Sequence, residues 1–308
     1  MIYKNLKINH IKDDILTQYD SEYTVIVKTK LNRTFEKEFT IDDKALNMIL
    51  KIGALEDIVF LDENKIKIKN NGKQFTTTTI GNPTFYFKEP NFSEENKYNF
   101  TLKELQEASK NVILDKMGIP QLKGVLVSKK DEQGNYSLAA TDKYKLFYKN
   151  KGDKFIDVTY SIPTSFIKLL NSENVELTFV DNLVCAKESD GTILYGRLYS
   201  GIIPKVSSII NTAFNDGNTE VNITDTDYLM GVGRVFLENE DNTLKFTFKS
   251  NEDSLVLTYK SDSKNRFDAI LKGEDLKIAL KLGKNKIENN ENMIKINNET
   301  ILFKMKEM

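Results

Sequence analysis

The sequence predicts an α+β fold made of three tandem domains, each with antiparallel sheets and two short helices. Three observations carry this expectation. Short runs of alternating apolar and polar residues dominate the chain, which is the pattern of a half-buried strand. Helical periodicity is confined to stretches of about ten residues. A grouping of helix, strand hairpin and further strand also returns at intervals of about 100 residues, without sequence identity between repeats. A chain of 308 residues is too long for one ordinary core and suits that division. The expected domains are 1–96, 97–210 and 211–308, parted by polar, turn-rich segments at 89–95 and 211–218.

In the first domain a helix is expected over 9–18, then strands over 24–29 and 35–39 joined by a turn at Asn32. A helix over 42–52 follows, with Asp42-Asp43 at the end where acids cap and complement the helix dipole. Asp57 to Lys69 reads as a hairpin turning at Asp62-Glu63-Asn64, and Lys73 to Ile80 as a Thr-rich strand. In the second domain Thr101 is placed to cap a helix over 101–114. Residues 138–146 read as a strand, a polar turn and a second strand, and 163–171 as a short helix after Pro163. Strands between Glu176 and Tyr199 turn at Asp181-Asn182 and Ser189-Asp190-Gly191. The third domain opens with a helix over 225–237, in which Gly231-Val232-Gly233 reads as close helix packing. A hairpin over Thr243–Lys260, turning at 251–253, a helix over 274–283 and strands over Lys286–Lys304, turning at Asn289-Asn290 and Asn297-Asn298, complete it.

Composition narrows the function. A net charge of −1 argues against a protein that coats nucleic acid with its whole surface. It is compatible with positive charge gathered on one face. No apolar run approaches the ~20 residues that cross a bilayer, and residues 1–5 start no signal-peptide stretch. A cytoplasmic protein with no membrane partner is expected. Cys185 is the only cysteine, so neither an intrachain disulfide nor a Cys-based zinc site can form. It reads as a buried strand residue. His10, the only histidine, is expected on the surface of the 9–18 helix beside Lys12. No carboxylates show metal-ligand spacing, and Asp142 reads as a turn former that binds the following amides. No catalytic residue, metal or cofactor is assigned, and no enzyme is expected. An α+β hydrolase using carboxylates is the enzymatic alternative.

The helices present basic faces. Lys44 and Lys51 lie opposite the apolar stripe Ala45, Leu46, Ile49 and Leu50. Lys103 and Lys110 do the same on 101–114, Lys168 on 163–171, Arg234 on 225–237, and Lys277, Lys281 and Lys284 on 274–283, whose stripe is Leu276, Ala279, Leu280 and Leu282. Each is open to a plain reading as a solvated helix face. Taken together they read as lysines facing one phosphate backbone, because flexible point charges neutralise phosphates without reading bases.

Three motifs in order then carry a resemblance. They are Ala140-Thr141-Asp142-Lys143-Tyr144-Lys145-Leu146, Ser161-Ile162-Pro163, and the stretch from Tyr195 through Arg197, Leu198 and Gly201 to Pro204. The series resembles the middle domain of the bacterial sliding clamp, the DNA polymerase III beta subunit, with A-T-D-G-H-R-L, V-P and S-R-L-x-x-G-x-F-P at these places. The entry 97–102, the hairpin 65–80 and the C-terminal strand 301–306 resemble further parts of that family. Lys143, Tyr144 and Lys304 depart from its Gly, His and Pro, so a viral or plasmid replication system is a plausible home.

The resemblance implies three clamp domains of the processivity fold, dimerised head to tail into a ring with sheets outside and helices lining the hole. The partners it implies are double-stranded DNA without sequence preference, a second copy of the chain, and a DNA polymerase and clamp loader bound through short linear motifs. Such a protein would act at the nucleoid. The matching groove positions are Phe155, Thr141, Lys143, Tyr144, Lys145, Leu146, Asn211, Phe303, Lys304, Met305 and Lys306, read as an apolar slot rimmed by lysines that favours an acid-flanked peptide. Phe236 and Leu237, at the end of the 225–237 helix, are the dimer-interface candidates. The alternative outside replication is a phage structural or interaction protein that reuses the fold.

Overall fold

The computed structural model describes residues 3, 6–20, 24–81, 87, 89–90, 97–112, 119–212, 214, 219–229, 233–249, 254–261 and 266–305. The chain begins with β1 (Ile8–Tyr19), β2 (Val25–Asp42), α1 (Asp43–Ile52), β3 (Val59–Phe60), β4 (Lys65–Asn70), β5 (Lys73–Thr78), β6 (Lys97–Thr101) and α2 (Leu102–Ser109). Next come β7 (Gly124–Ser128), β8 (Tyr136–Thr141), β9 (Lys145–Lys151), β10 (Val158–Pro163), α3 (Thr164–Ile167), β11 (Asn174–Val180), β12 (Leu183–Lys187), β13 (Ile193–Arg197) and α4 (Ser207–Ile210). The last third holds β14 (Thr219–Ile223), β15 (Arg234–Glu240), β16 (Thr243–Lys249), β17 (Ser254–Lys260), β18 (Phe267–Lys272), α5 (Gly273–Ala279), β19 (Gly283–Asn289), β20 (Met293–Ile296) and β21 (Thr300–Phe303). Among the described residues no helix is long and apolar enough to cross a membrane.

The chain divides into two compact units. One comprises 1–107 and 162–200. It holds a six-stranded sheet in the order β1-β2-β13-β12-β11-β6 and the small sheet β3-β4-β5. The stripe Ala45, Leu46 and Ile49 of α1 packs on Ile11, Leu16, Phe39 and Ile41 of β1 and β2 and on Ile66 and Ile68 of β4. Asp42 caps α1 by accepting from the Ala45 amide at 2.7 Å. Gly196 in β13 faces the fully buried Phe166, where an added Cβ would meet the ring at 2.6 Å.

The other unit comprises 108–161 and 201–308. It holds an eight-stranded sheet in the order β10-β7-β8-β9-β21-β20-β19-β14 and a four-stranded sheet in the order β17-β16-β15-β18. One core joins Leu237, Phe246 and Leu271 to α5 and to Ile287, Ile294 and Leu302. A second gathers Leu122, Leu126, Leu146, Val206 and Ile301. The turns expected at Asp181, Gly191 and Asn297-Asn298 occur, all with positive φ, which Asn, Asp and Gly tolerate best.

Several expectations are corrected. Residues 9–18 are strand, not helix. Ile8, Ile11, Ile15 and Tyr19 imitate helical spacing, but β1 pairs along β2, with register shifts around Asp13. His10 is therefore buried and not on a surface helix. The turn expected at Asn32 lies inside the continuous strand β2, near that same irregularity. The 225–237 helix is a single helical turn at Asp227–Leu229 followed by β15. Gly231 and Val232 lie outside the described residues, and a Cβ on Gly233 would meet nothing within 4 Å, so close packing does not explain it. The 274–283 helix ends at Ala279, and Leu282 is 70% exposed, outside the apolar stripe. Residues 113 and 114 of the 101–114 helix lie outside the described residues; α2 ends at Ser109.

Candidate functional site

The turn between β8 and β9 sets up the site. The Asp142 Oδ1 accepts from the amides of Tyr144 and Lys145, each at 3.0 Å, as its turn-forming role requires. Thr141 Oγ1 donates to the Lys145 carbonyl at 2.7 Å. Lys143 takes φ +80°, a conformation that suits Gly better than a side-chain-bearing residue. Tyr144 follows at the tip of the turn, 68% exposed.

Lys145 turns inward instead. Its Nζ lies 2.6 Å from Asp275 Oδ1 and 3.0 Å from Asp142 Oδ2, and it is 5% exposed. Burial works to lower the ammonium pKa, but the hydrogen bonds and charges of Asp275 and Asp142 outweigh it and hold it above the usual lysine value. Asp275 sits in the first turn of α5, where a carboxylate is favoured by the helix dipole. The pair therefore ties the β8–β9 turn to α5.

A strap formed by Phe303, Lys304 and Met305 crosses beside this turn. Phe303 N donates to Tyr144 O at 3.0 Å, Lys304 N to Asn292 O at 2.9 Å, and Met305 N to Ile270 O at 2.8 Å. Burial pulls the Lys304 ammonium below its ordinary pKa, against Asp268 and Glu291. A notch of about 460 Å³ opens between the strap and Tyr144, Leu271, Lys272 and Asp275. Phe155 and Phe303 pack half-buried against the neighbouring core, with Phe155 edge-on to Tyr148 at 6.1 Å.

The expected groove positions are thus partly brought together. Tyr144, Phe303, Lys304 and Met305 line the notch. Thr141 and Lys143 shape its turn, while exposed Asn211 ends α4. Leu146 is fully buried in the core and offers no surface to a peptide. Lys145 is neutralised by two aspartates, so it does not belong to a positive rim. Lys306 lies outside the described residues. Sequence reasoning missed Lys272 and Asp275 as lining residues. Asp275 was legible only as a first-turn acid, and nothing local shows its pairing with a lysine 130 positions away.

The basic positions fall into two groups. Lys44, Lys51, Lys103, Lys110, Lys168 and Lys284 are exposed. Lys277, half-buried, pairs with Asp227 at 3.0 Å, and Lys281, itself exposed, pairs with Glu299 at 2.7 Å. Lys284 and Arg234 lie on strands β19 and β15, and Lys110, Lys168 and Lys281 lie just past the ends of α2, α3 and α5, so none of the five is within a helix. Phe236 and Leu237 also lie on β15, and Leu237 is core.

No family model matches the sequence, and no curated protein matches it. Solved structures do. The DNA polymerase III subunit beta from Pseudomonas aeruginosa matches with a TM-score of 0.75 at 14% identity, over 98% of this chain and 92% of that one. The DNA polymerase III beta chain from Streptococcus pneumoniae gives 0.77 at 15%, over 98% and 91%. The DNA polymerase sliding clamp from Bacillus subtilis gives 0.74 at 13%, over 98% and 91%.

Proposed function

We propose that this chain, which has the fold of the DNA polymerase III beta sliding clamps, is itself a clamp that encircles duplex DNA and tethers a replicative polymerase. The observation that carries the reading is a likeness of fold that spans 98% of the chain. On this reading 1–96, 97–210 and 211–308 act as three clamp domains, and two copies close head to tail into a six-domain ring. The exposed lysines of α1 and α2, and Lys168 at the end of α3, face the DNA backbone, and contact is weak and sequence-blind so that the ring slides. The Tyr144 notch receives short linear segments of the polymerase and the clamp loader.

Ring closure needs two different surfaces. The four-stranded sheet offers β17, an edge strand on which Leu255 and Val256 are 48% and 50% exposed. The small sheet offers edge strand β5. Pairing these edges would cover backbone groups that otherwise invite aggregation, whereas Leu237, fully buried, offers a partner no surface. The test is topological. Protein loaded onto nicked circular DNA should stay bound through a salt wash and be lost when the circle is linearised. Equal retention on both forms, or on neither, overturns the reading.

A further inference from the structure

The strap Phe303–Met305, which the notch shares, also borders a second, larger groove of about 690 Å³, on the side away from Tyr144. Strands β15 and β18 and the loop between β19 and β20 wall it. Strand alternation explains its chemistry. Val235, Leu237 and Asn239 are buried, so Phe236 and Glu238 face the opposite way. Register sets Phe236 against Ile270 and Glu238 against Asp268 in adjacent rows on that face. Glu238 and Asp268 are both exposed, and like charges directly opposed are unfavourable. Glu291 adds a third carboxylate at the rim. Lys245 neighbours Glu238 in β16. The chain's own Lys304 already reaches into the groove, and its Nζ donates at 2.9 Å to the Asp268 backbone carbonyl and not to a carboxylate.

We propose that this groove docks an extended segment of a partner protein in which a lysine or arginine lies two residues from a large apolar residue. The basic head sits between Glu238 and Asp268, and the apolar side chain rests on the half-buried Phe236, beside the buried Ile270. The spacing follows from the rows, because residues i and i+2 of an extended chain share a face about 6.6 Å apart. This preference is opposite in charge to an acid-flanked segment, and it holds whether or not the chain encircles DNA.

The full-length protein is titrated against three fluorescein-labelled heptapeptides: one with a Lys-x-Leu pattern, one with Glu in place of Lys, and one with Lys and Leu adjacent. The Lys-x-Leu peptide should bind best and weaken with added salt. Glu238→Gln with Asp268→Asn should weaken it about tenfold, and Tyr144→Ala should leave it unchanged. Should the double variant fail to fold, Glu291→Gln alone must weaken binding about threefold. The proposal falls if the Lys-x-Leu peptide does not bind, if the three peptides bind alike, or if the carboxylate variants have no effect. It also falls if Tyr144→Ala abolishes binding, or if binding appears only on dilution to monomers, because the groove then belongs to a second copy.

Discussion

Lys145 concentrates the energetic stakes of the candidate site in one residue. It is 5% exposed and bound to Asp275, which is 4% exposed. Lys145→Met would leave that carboxylate buried without its cation, a loss of about 3–5 kcal/mol. The expected readout is a lowered urea midpoint with unchanged slope; a loss under about 1 kcal/mol would mean that water reaches the pair. His10 gives a pH signature. Its Nδ1 lies 3.0 Å from Thr40 Oγ1 and its Nε2 3.2 Å from Glu38 Oε1. Burial depresses its pKa below 6.5, outweighing the opposing charge of Glu38, with Lys12 adding to the depression. The unfolded chain then takes up a proton that the folded chain resists. Stability is present above pH 6.5 and falls as pH drops through that value towards the lower folded one. Since His10 is the only histidine, denaturation of the parent and of His10→Gln at about pH 7.5 and about pH 5.5 isolates the effect. A stability difference that stays flat or reverses would mean that Glu38 prevails over burial.

Elements were legible where one face is buried and a local signal marks the end. Asp42 caps α1 as its position implies, and at the start of α2 the amides of Thr101 and Glu104 each donate to the other residue's side-chain oxygen. Legibility failed at β1 and β15. In β1 the apolar residues Ile8, Ile11, Ile15 and Tyr19 imitate helical spacing, and in β15 the apolar run Val235-Phe236-Leu237 hides the alternation, so pairing with distant partners decides both. The structure also sorts the basic faces. Lys277 and Lys281 have acidic partners, whereas Lys44, Lys103 and Lys168 are exposed with no acidic partner among the described residues. Replacing those three with Glu should flatten the log-affinity against log-salt slope on circular DNA by about one unit per residue and leave the thermal transition in place. An unchanged slope would remove these residues from the DNA face.

At the scale of the whole molecule the clamp reading stands or falls on self-association. Sedimentation at micromolar concentration should give a mass near twice 35.3 kDa. Val256→Asp on the exposed edge of β17 should return the protein to a folded monomer. A parent that is a stable monomer or a trimer would exclude the head-to-tail pair. Leu237→Ala should instead destabilise the fold by about 2–5 kcal/mol, since Leu237 is fully buried.

Alternation, turn residues and caps, all local, determined most strands, their hairpins and the α1 and α2 starts, and motif order pointed to the clamp fold. Tertiary structure decided what locality cannot reach. It joined β2 to β13 and β9 to β21, made β1 a strand, and buried Lys145 against an aspartate from another part of the chain. It also set Glu238 opposite Asp268. A side chain's exposure and charge state depend on which distant residues pack against it, and strand pairing over long sequence separations leaves no mark within any single segment.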